Sequence, residues 1–326
     1  MVRETIVLTR QEVADEIDLA AAIPAIEACL AEFEKGRDLL PPKYIVPMPL
    51  GIAACIAGYT RATHLLSMKL GQERKSNAER GLPTITGTLQ LYDPDTGELL
   101  MIVESVLATM YRTGAAAAVS AKHLARRDAR TLSVVGAGQL GRQVLRAVST
   151  VRPFERIYLH DVRADQVARV AEELAPRVPV PIEAADAEPA CRAADVLCTA
   201  TNSTEPIVRS DWVRPGTHLA CMGADLHSKI ECEPQLLPRC RLFADNIEHC
   251  LERGEVSQAV ERGTLGRDCF AGSLGAVING AVPGRTRADE ITLYDAVGLG
   301  VQDTTIAKSI YDQASAKGLG LRVRFC

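Results

Sequence analysis

Apolar positions follow two different patterns along this chain. In the N-terminal part they alternate with polar ones, which is how a strand with one buried face reads. Thr5–Thr9, Tyr59–Leu70, Thr84–Tyr92 and Leu99–Ser105 are predicted strands, and Asp93-Pro-Asp-Thr-Gly97 is a hairpin turn by composition. Pro24–Phe33 places Ile26, Leu30 and Phe33 at helical spacing, with Pro24 suited to the first turn. Pro41-Pro42-Lys43-Tyr44 opens an irregular stretch running to Gly51. The alanine-rich run Thr109–Leu124 reads as a long helix whose small side chains permit close packing. This part is therefore expected to be α+β with antiparallel pairing.

Beyond it, short apolar runs alternate with helical periods. Candidate strands are Leu132–Val135, Ile157–His160, Val178–Ile182, Val196–Thr199, His218–Met222, Leu242–Ala244 and Ile291–Tyr294. Asp165–Leu174, with Val167, Val170 and Leu174 on one side, exemplifies the intervening helices. Such alternation predicts a doubly wound parallel sheet, an α/β fold. Thr304–Ser315 reads as a helix returning to the first part, and Leu321–Phe325 alternates like an edge strand. Ligands of such folds lie at the carboxyl ends of the sheet strands, so a cleft shared with the first part is expected there.

One stretch of the second part carries recognisable chemistry. Thr131–Val135 is an apolar strand, Gly136, Gly138 and Gly141 form G-x-G-x-x-G, and Leu140, Val144, Leu145 and Val148 follow at helical spacing. The next strand candidate ends in Asp161, twenty residues beyond Gly141. The glycines allow a tight turn, close backbone approach to a pyrophosphate, and close helix–strand packing. A helix opening at Gln139 offers free N–H groups and its positive end. Asp161 suits the ribose hydroxyls and opposes a 2′-phosphate, so NAD(H) is favoured over NADP(H).

Composition narrows the remaining classes. A chain of 326 residues implies about two domains. Hydrophobic residues at 47% and charged ones at 24% are ordinary for a soluble globular protein. A net charge of −4 with interspersed signs gives no face for nucleic acid or an anionic membrane. No apolar run approaches the ~20 residues of a membrane span, and MVRETIVLTR lacks the core of a signal peptide. The ten cysteines are scattered, several in apolar runs (Cys55, Cys198, Cys221), and no C-x-x-C occurs. Cys232, Cys240 and Cys250 lack metal-site spacing, so no metal is expected and a reduced cytoplasm fits.

Three ionisable residues interrupt apolar or small-residue segments. They are Lys69 in Leu65-Leu-Ser-Met-Lys-Leu70, Arg112 in Thr109-Met-Tyr-Arg-Thr-Gly-Ala115, and Asp225 after Leu219-Ala-Cys-Met-Gly-Ala224. Each has an ordinary explanation: an outward strand lysine, a helix-surface arginine, an Asx-turn aspartate. Asp225 stands apart because it follows a strand on the ligand side.

At these residues the chain resembles the ornithine cyclodeaminase/mu-crystallin family, nearly end to end. The matching segments are Pro41-Pro42-Lys43, Met68-Lys69, Gly81-Leu82-Pro83-Thr84, Thr109-x-x-Arg112-Thr113-x-Ala115, Gly136-x-Gly138, Met222-Gly223-Ala224-Asp225, Lys229-x-Glu231, Gly254-Glu255 and Tyr294-Asp295-x-x-Gly298. The resemblance implies a homodimer in which each subunit has a Rossmann-type NAD-binding domain (123–304) and an α+β substrate-binding and dimerisation domain (1–122 with 305–326). It assigns Lys69 and Arg112 to the substrate carboxylate, Lys69 and Asp225 to catalysis, Asp225 as the acid/base beside the amino group, and Val297 to the substrate. Thr84, Arg112, Gly136, Gly138, Gln139, Leu140, Gly141, Asp161, Thr201, Met222, Gly223, Lys229 and Ala296 fall where the family contacts the dinucleotide. Family members often carry a further carboxylate-binding arginine before the Lys69 strand. Here Gly51-Ile-Ala-Ala-Cys-Ile-Ala-Gly58 has none, which leaves Lys43 or Arg61 as substitutes.

The activity implied is NAD(H)-dependent oxidation or reduction at the C–N bond of an α-amino or α-imino acid, as in the family's alanine dehydrogenases and imino acid reductases. Pro42-Lys43-Tyr44 and Gly223-Ala224-Asp225 are worded like that branch. Two alternatives use the same parts: a cyclodeaminase that recycles NAD while converting ornithine to proline and ammonia, and a mu-crystallin-like binding protein without turnover.

Overall fold

The structure is a computed structural model that describes residues 3–16, 18–178 and 180–325. It divides into two compact units, Met1–Arg112 with Leu299–Cys326, and Thr113–Gly298. No described helix is long and apolar enough to cross a membrane.

The first unit is built on a seven-stranded sheet. Its order is Leu321–Val323, Thr5–Leu8, Leu99–Glu104, Ile85–Tyr92, Leu65–Glu73, Gly51–Thr60 and Tyr44–Met48, antiparallel except where Thr5–Leu8 meets Leu99–Glu104. Alternation sets the two faces. Ser67, Lys69, Leu89, Leu91, Met101 and Val103 are buried, whereas Met68 and Leu70 on the opposite face are exposed. The helix Gly300–Lys317 packs on the buried face, where Thr304 hydrogen-bonds Ser67 Oγ and the Gly58 carbonyl.

Local chemistry departs from the sequence expectations at several points. The segment Tyr59–Leu70 is two strands, not one, because Arg61–His64 is a turn. It contains no Gly or Pro; His64 adopts φ 53° and is held by Tyr59 Oη and Asp95, each at 2.8 Å. The stretch after Pro41 is not wholly irregular, since Tyr44–Met48 pairs as the outermost strand. Pro47 is tolerated there because an edge needs no donor on its outer side. The first long helix spans Leu19–Phe33, so Pro24 lies beyond its first turn. Asp18 caps it by accepting the Ala20 N–H at 2.9 Å. The alanine-rich helix starts earlier than expected, at Ser105, because the Glu104 carboxylate accepts the N–H groups of Val106 (3.0 Å) and Leu107 (2.9 Å).

The second unit is an eight-stranded, wholly parallel sheet. Its order is Phe270–Ser273, Cys240–Ala244, Ile291–Asp295, His218–Cys221, Val196–Thr199, Thr131–Val135, Arg156–His160 and Ile182–Ala184. Val196–Thr199, His218–Cys221 and Ile291–Asp295 are buried along their whole length, as strands covered on both faces must be. The strand expected over Val178–Ile182 lies partly outside the described residues; the pairing strand is Ile182–Ala184. Phe270–Ser273 was not expected, being short and carrying Gly272, and it joins its neighbour through a register shift.

Candidate active site

In the first unit the approach of a helix to a sheet creates a buried ionic cluster. Gly58 and Gly300 allow that approach: a Cβ on Gly300 would stand 2.0 Å from the Ala57 carbonyl oxygen. The first turn of the helix is thereby pressed onto the strands, which sets Gln302 and Asp303 against Lys69 and Arg112. Lys69 Nζ lies 2.6 Å from Asp303 Oδ2 and donates to Thr109 Oγ1 at 3.3 Å. Arg112 Nε donates to Asp303 Oδ1 at 3.1 Å, and its Nη1 to Gln302 Oε1 at 3.4 Å. Lys69 is therefore no outward strand lysine, and Arg112 no surface arginine.

Charge in this cluster is out of balance. Burial pushes the Lys69 ammonium down to about 8, Asp303 resists, and the Arg112 and Lys43 cations add to the depression. Burial by itself would raise Asp303, but Lys69 and Arg112 together hold its carboxyl below the usual range. Two buried cations thus share one carboxylate. Beside them the Gln302 Nε2 is a buried donor with no partner among the described residues. Surplus positive charge and an unused donor suit a carboxylate ligand.

Lys43 is half-buried at the start of the outermost strand and adds to the field at Lys69. Arg61 is exposed on the turn before the strand Leu65–Glu73, where its backbone N–H donates to Asp38 Oδ1 at 2.8 Å. Thr84 is exposed beside Ile85, whose strand partner is Glu73 rather than Lys69.

In the second unit Gly136 and Gly138 lie in the turn between the strand Thr131–Val135 and the helix Gln139–Val148, and Gly141 lies in the first turn of that helix. Gly136 adopts φ 108°, a conformation that excludes other residues. A Cβ on Gly141 would lie 1.7 Å from the Gly136 carbonyl oxygen, whereas one on Gly138 would meet nothing within 4 Å. Gly138 caps the helix without a side-chain hydrogen bond. The positive end of that helix lies at this turn, where an anion is favoured. Asp161 immediately follows the neighbouring strand Arg156–His160; its Oδ2 accepts the Ala137 N–H at 2.8 Å and its Oδ1 the Arg163 N–H at 3.0 Å.

Thr201, Met222, Gly223, Ala296 and Val297 follow the carboxyl ends of three adjacent strands. Asp225 comes next, partly exposed, with its Oδ1 accepting from Lys229 Nζ at 2.7 Å.

The ornithine cyclodeaminase/mu-crystallin family matches this chain over residues 3–318. The chain belongs to that family. An archaeal alanine dehydrogenase dimer with bound NAD superposes with a TM-score of 0.94 at 30% identity, covering 99% of this chain and 100% of that one. The Δ1-pyrroline-2-carboxylate reductase of Thermococcus litoralis, in complex with NADH and L-proline, gives a TM-score of 0.94 at 28% identity over 98% and 100% of the two chains. The iminosuccinate reductase of Paracoccus denitrificans, in complex with NAD+, gives 0.90 at 31% identity over 99% and 100%.

Two groups in this family member escaped the reading of the sequence. Asp303 and Gln302 stand in the first turn of a helix, where an acid is commonplace for its effect on the helix dipole. The available signal is the polar run Gln302-Asp303-Thr304-Thr305 between Val301 and Ile306. Glu231, Glu255 and Asp295 stand in segments that resemble the family, but the sequence assigns them no role. All three are buried.

Proposed function

We propose that the protein is an NAD(H)-dependent oxidoreductase acting on the C–N bond of an α-amino or α-imino acid. The observation that carries this reading is the buried Lys69–Arg112–Asp303 cluster, whose net positive charge calls for a carboxylate. The glycine turn fits the dinucleotide: open space at Gly138, the positive end of the helix that starts at Gln139, and a carboxylate at Asp161. Gly136, Gly138, Gln139, Leu140 and Gly141 would hold the pyrophosphate and Asp161 the ribose hydroxyls. Thr84, Arg112, Thr201, Met222, Gly223, Lys229 and Ala296 complete the cofactor contacts assigned to this family. When bound, NAD(H) exchanges a hydride with the carbon of the C–N bond.

The chain's own groups do the rest. Lys69 and Arg112, with Lys43 adding charge, bind and orient the substrate carboxylate, and Asp303 fixes both cations. Val297 contributes apolar surface beside the substrate. Asp225 stabilises the protonated nitrogen and exchanges its proton, since an imine accepts hydride readily only when protonated. The chain works as a homodimer in this reading. Tyr44, Met68 and Leu70 leave an apolar sheet face exposed, and the similar archaeal dehydrogenase is a dimer. The nine described cysteines are free thiols, which suits a reducing cytoplasm.

The test is a panel of 2-oxo acids with ammonia or methylamine, cyclic imino acids and ornithine, followed by NADH absorbance. A lasting absorbance change with an imino acid is expected. Conversion of ornithine to proline without net NADH change would make the protein a cyclodeaminase instead. In the active reaction Asp225→Asn should cost ~10²–10⁴ in kcat with NADH affinity little changed.

A further inference from the structure

Three buried carboxylates in the second unit form a series in which each holds the backbone of the next. Asp295 accepts the N–H groups of Glu255 (3.0 Å) and Val256 (3.2 Å). Glu255 accepts those of Glu231 (3.0 Å) and Cys232 (2.6 Å). Glu231 accepts four donors: Thr199 Oγ1 (2.6 Å), the Thr201 N–H (2.7 Å), Thr201 Oγ1 (2.8 Å) and the Gly223 N–H (2.9 Å). The backbone closes on these acids. A Cβ on Gly223 would fall 2.5 Å from Glu231 Oε1 and 2.3 Å from the Thr201 carbonyl, and one on Gly254 would fall 2.5 Å from Asp295 Oδ2. Glu231 thus ties the segment after the strand Val196–Thr199 to the segment after the strand His218–Cys221, two residues before Asp225.

We propose that Glu231 is a positioning residue for the reaction: by gripping Thr201 and Gly223 it sets the Met222–Asp225 turn, and so the place from which Asp225 handles the substrate's proton. Glu255 and Asp295 hold Glu231 in turn. The inference rests on the assignment of Asp225 made above. A scaffold needing only buried bulk gains nothing from three acids. Burial pushes the Asp295 carboxyl up to about 8 and the Glu255 carboxyl well above its usual range, with Glu231 nearby adding to the latter. An unpartnered acid there is costly, whereas one with two to four donors fixes them in place. Both Glu231 oxygens accept a backbone N–H, so an amide in its place would turn its NH2 toward one of them. Glu231→Gln therefore keeps the volume and loosens one segment.

Hydrogen–deuterium exchange on the protein without added nucleotide reads the grip directly. Glu231→Gln should raise exchange over residues 222–226 at least about tenfold, leaving residues 131–141 unchanged. With NADH and the imine formed from pyruvate and methylamine, or with Δ1-pyrroline-2-carboxylate, kcat should fall about tenfold or more while NADH affinity stays within about threefold. Thr199→Val, which removes one donor and no backbone contact, should show the same pattern at about threefold, and it decides the matter if Glu231→Gln does not fold. Unchanged exchange, or a parent-like kcat in folded variants where Asp225→Asn is impaired, overturns the proposal. A parent-like kcat in Asp225→Asn itself would remove the assignment beneath it, a failure that the exchange data keep separate.

Discussion

Alkaline pH should release a carboxylate ligand from this protein by discharging Lys69. The perturbation is a shift from about pH 7 to about pH 9.5, across the value near 8 at which the buried ammonium loses its proton. An ordinary lysine would stay charged throughout. The sign follows from the depressed value: free protein is about nine-tenths charged at Lys69 at pH 7 and about 3% charged at pH 9.5. A charge-assisted contact worth about 2–3 kcal/mol would raise the Lys69 value by about two units when a carboxylate is bound. Linkage between the two states then gives a rise in Kd of about 20-fold over the range. The ligand should be pyruvate, whose carboxylate does not titrate there, bound to the protein with NADH and followed by nucleotide fluorescence. Lys69→Met should bind weakly at pH 7 and show no slope. A constant Kd in the parent would refute the reasoning. A slope surviving in Lys69→Met would move the titration elsewhere, Asp295 near 8 being the nearest match in value.

The cofactor and the scaffold give three more expectations. NADH should bind at least about tenfold more tightly than NADPH because Asp161 opposes a 2′-phosphate, and Asp161→Ser should narrow the gap; equal affinities in the parent would contradict the assignment. Gly141→Ala puts a methyl against the Gly136 carbonyl, so NADH titration and melting should show lost affinity together with a stability cost of about 3 kcal/mol or more; parent-like values would mean the turn has slack. His218 is buried between Ser120 Oγ (3.1 Å) and Thr292 Oγ1 (3.0 Å), and burial pushes it down to about 3. Only the unfolded chain takes that proton on acidification, so stability should fall by about 2 kcal/mol from pH 7 to pH 5 through this group. Denaturant titration of the parent and His218→Gln at both pH values checks it, and equal slopes would sink it.

How much the sequence reveals depends on how local the cause is. The parallel sheet was legible because fully buried strands need continuous apolar runs, and Leu132–Val135, Val196–Thr199 and His218–Cys221 supply them. The glycine turn was legible because backbone geometry forces the residue type at Gly136 and Gly141. The turn at Arg61–His64 was not, since a histidine took the left-handed conformation that glycine or asparagine usually signals. Glu104 in a capping role was passed over for a similar reason, being absent from the usual cap residues.

Buried acids are the harder class, because nothing in their neighbourhood along the chain distinguishes them from solvated ones. Asp303 lies 191 residues from Arg112, and Glu231 lies 30 from Thr201 and 24 from Glu255. Each is explained only by a partner that the fold delivers. The charges they organise are opposite in the two units. In the first, one aspartate serves two buried cations and leaves a positive surplus. In the second, Asp225 stands on a turn held by Glu231, with further buried acids behind it. An α-imino acid in its reactive form carries a carboxylate and a cationic nitrogen on the same carbon. Under the proposed function, Lys69 and Arg112 answer the carboxylate and Asp225 the nitrogen, so simple acids and simple amines, each of which satisfies one sign only, should bind more weakly. Lys69→Met should erode that discrimination against amines, and Asp225→Asn against acids.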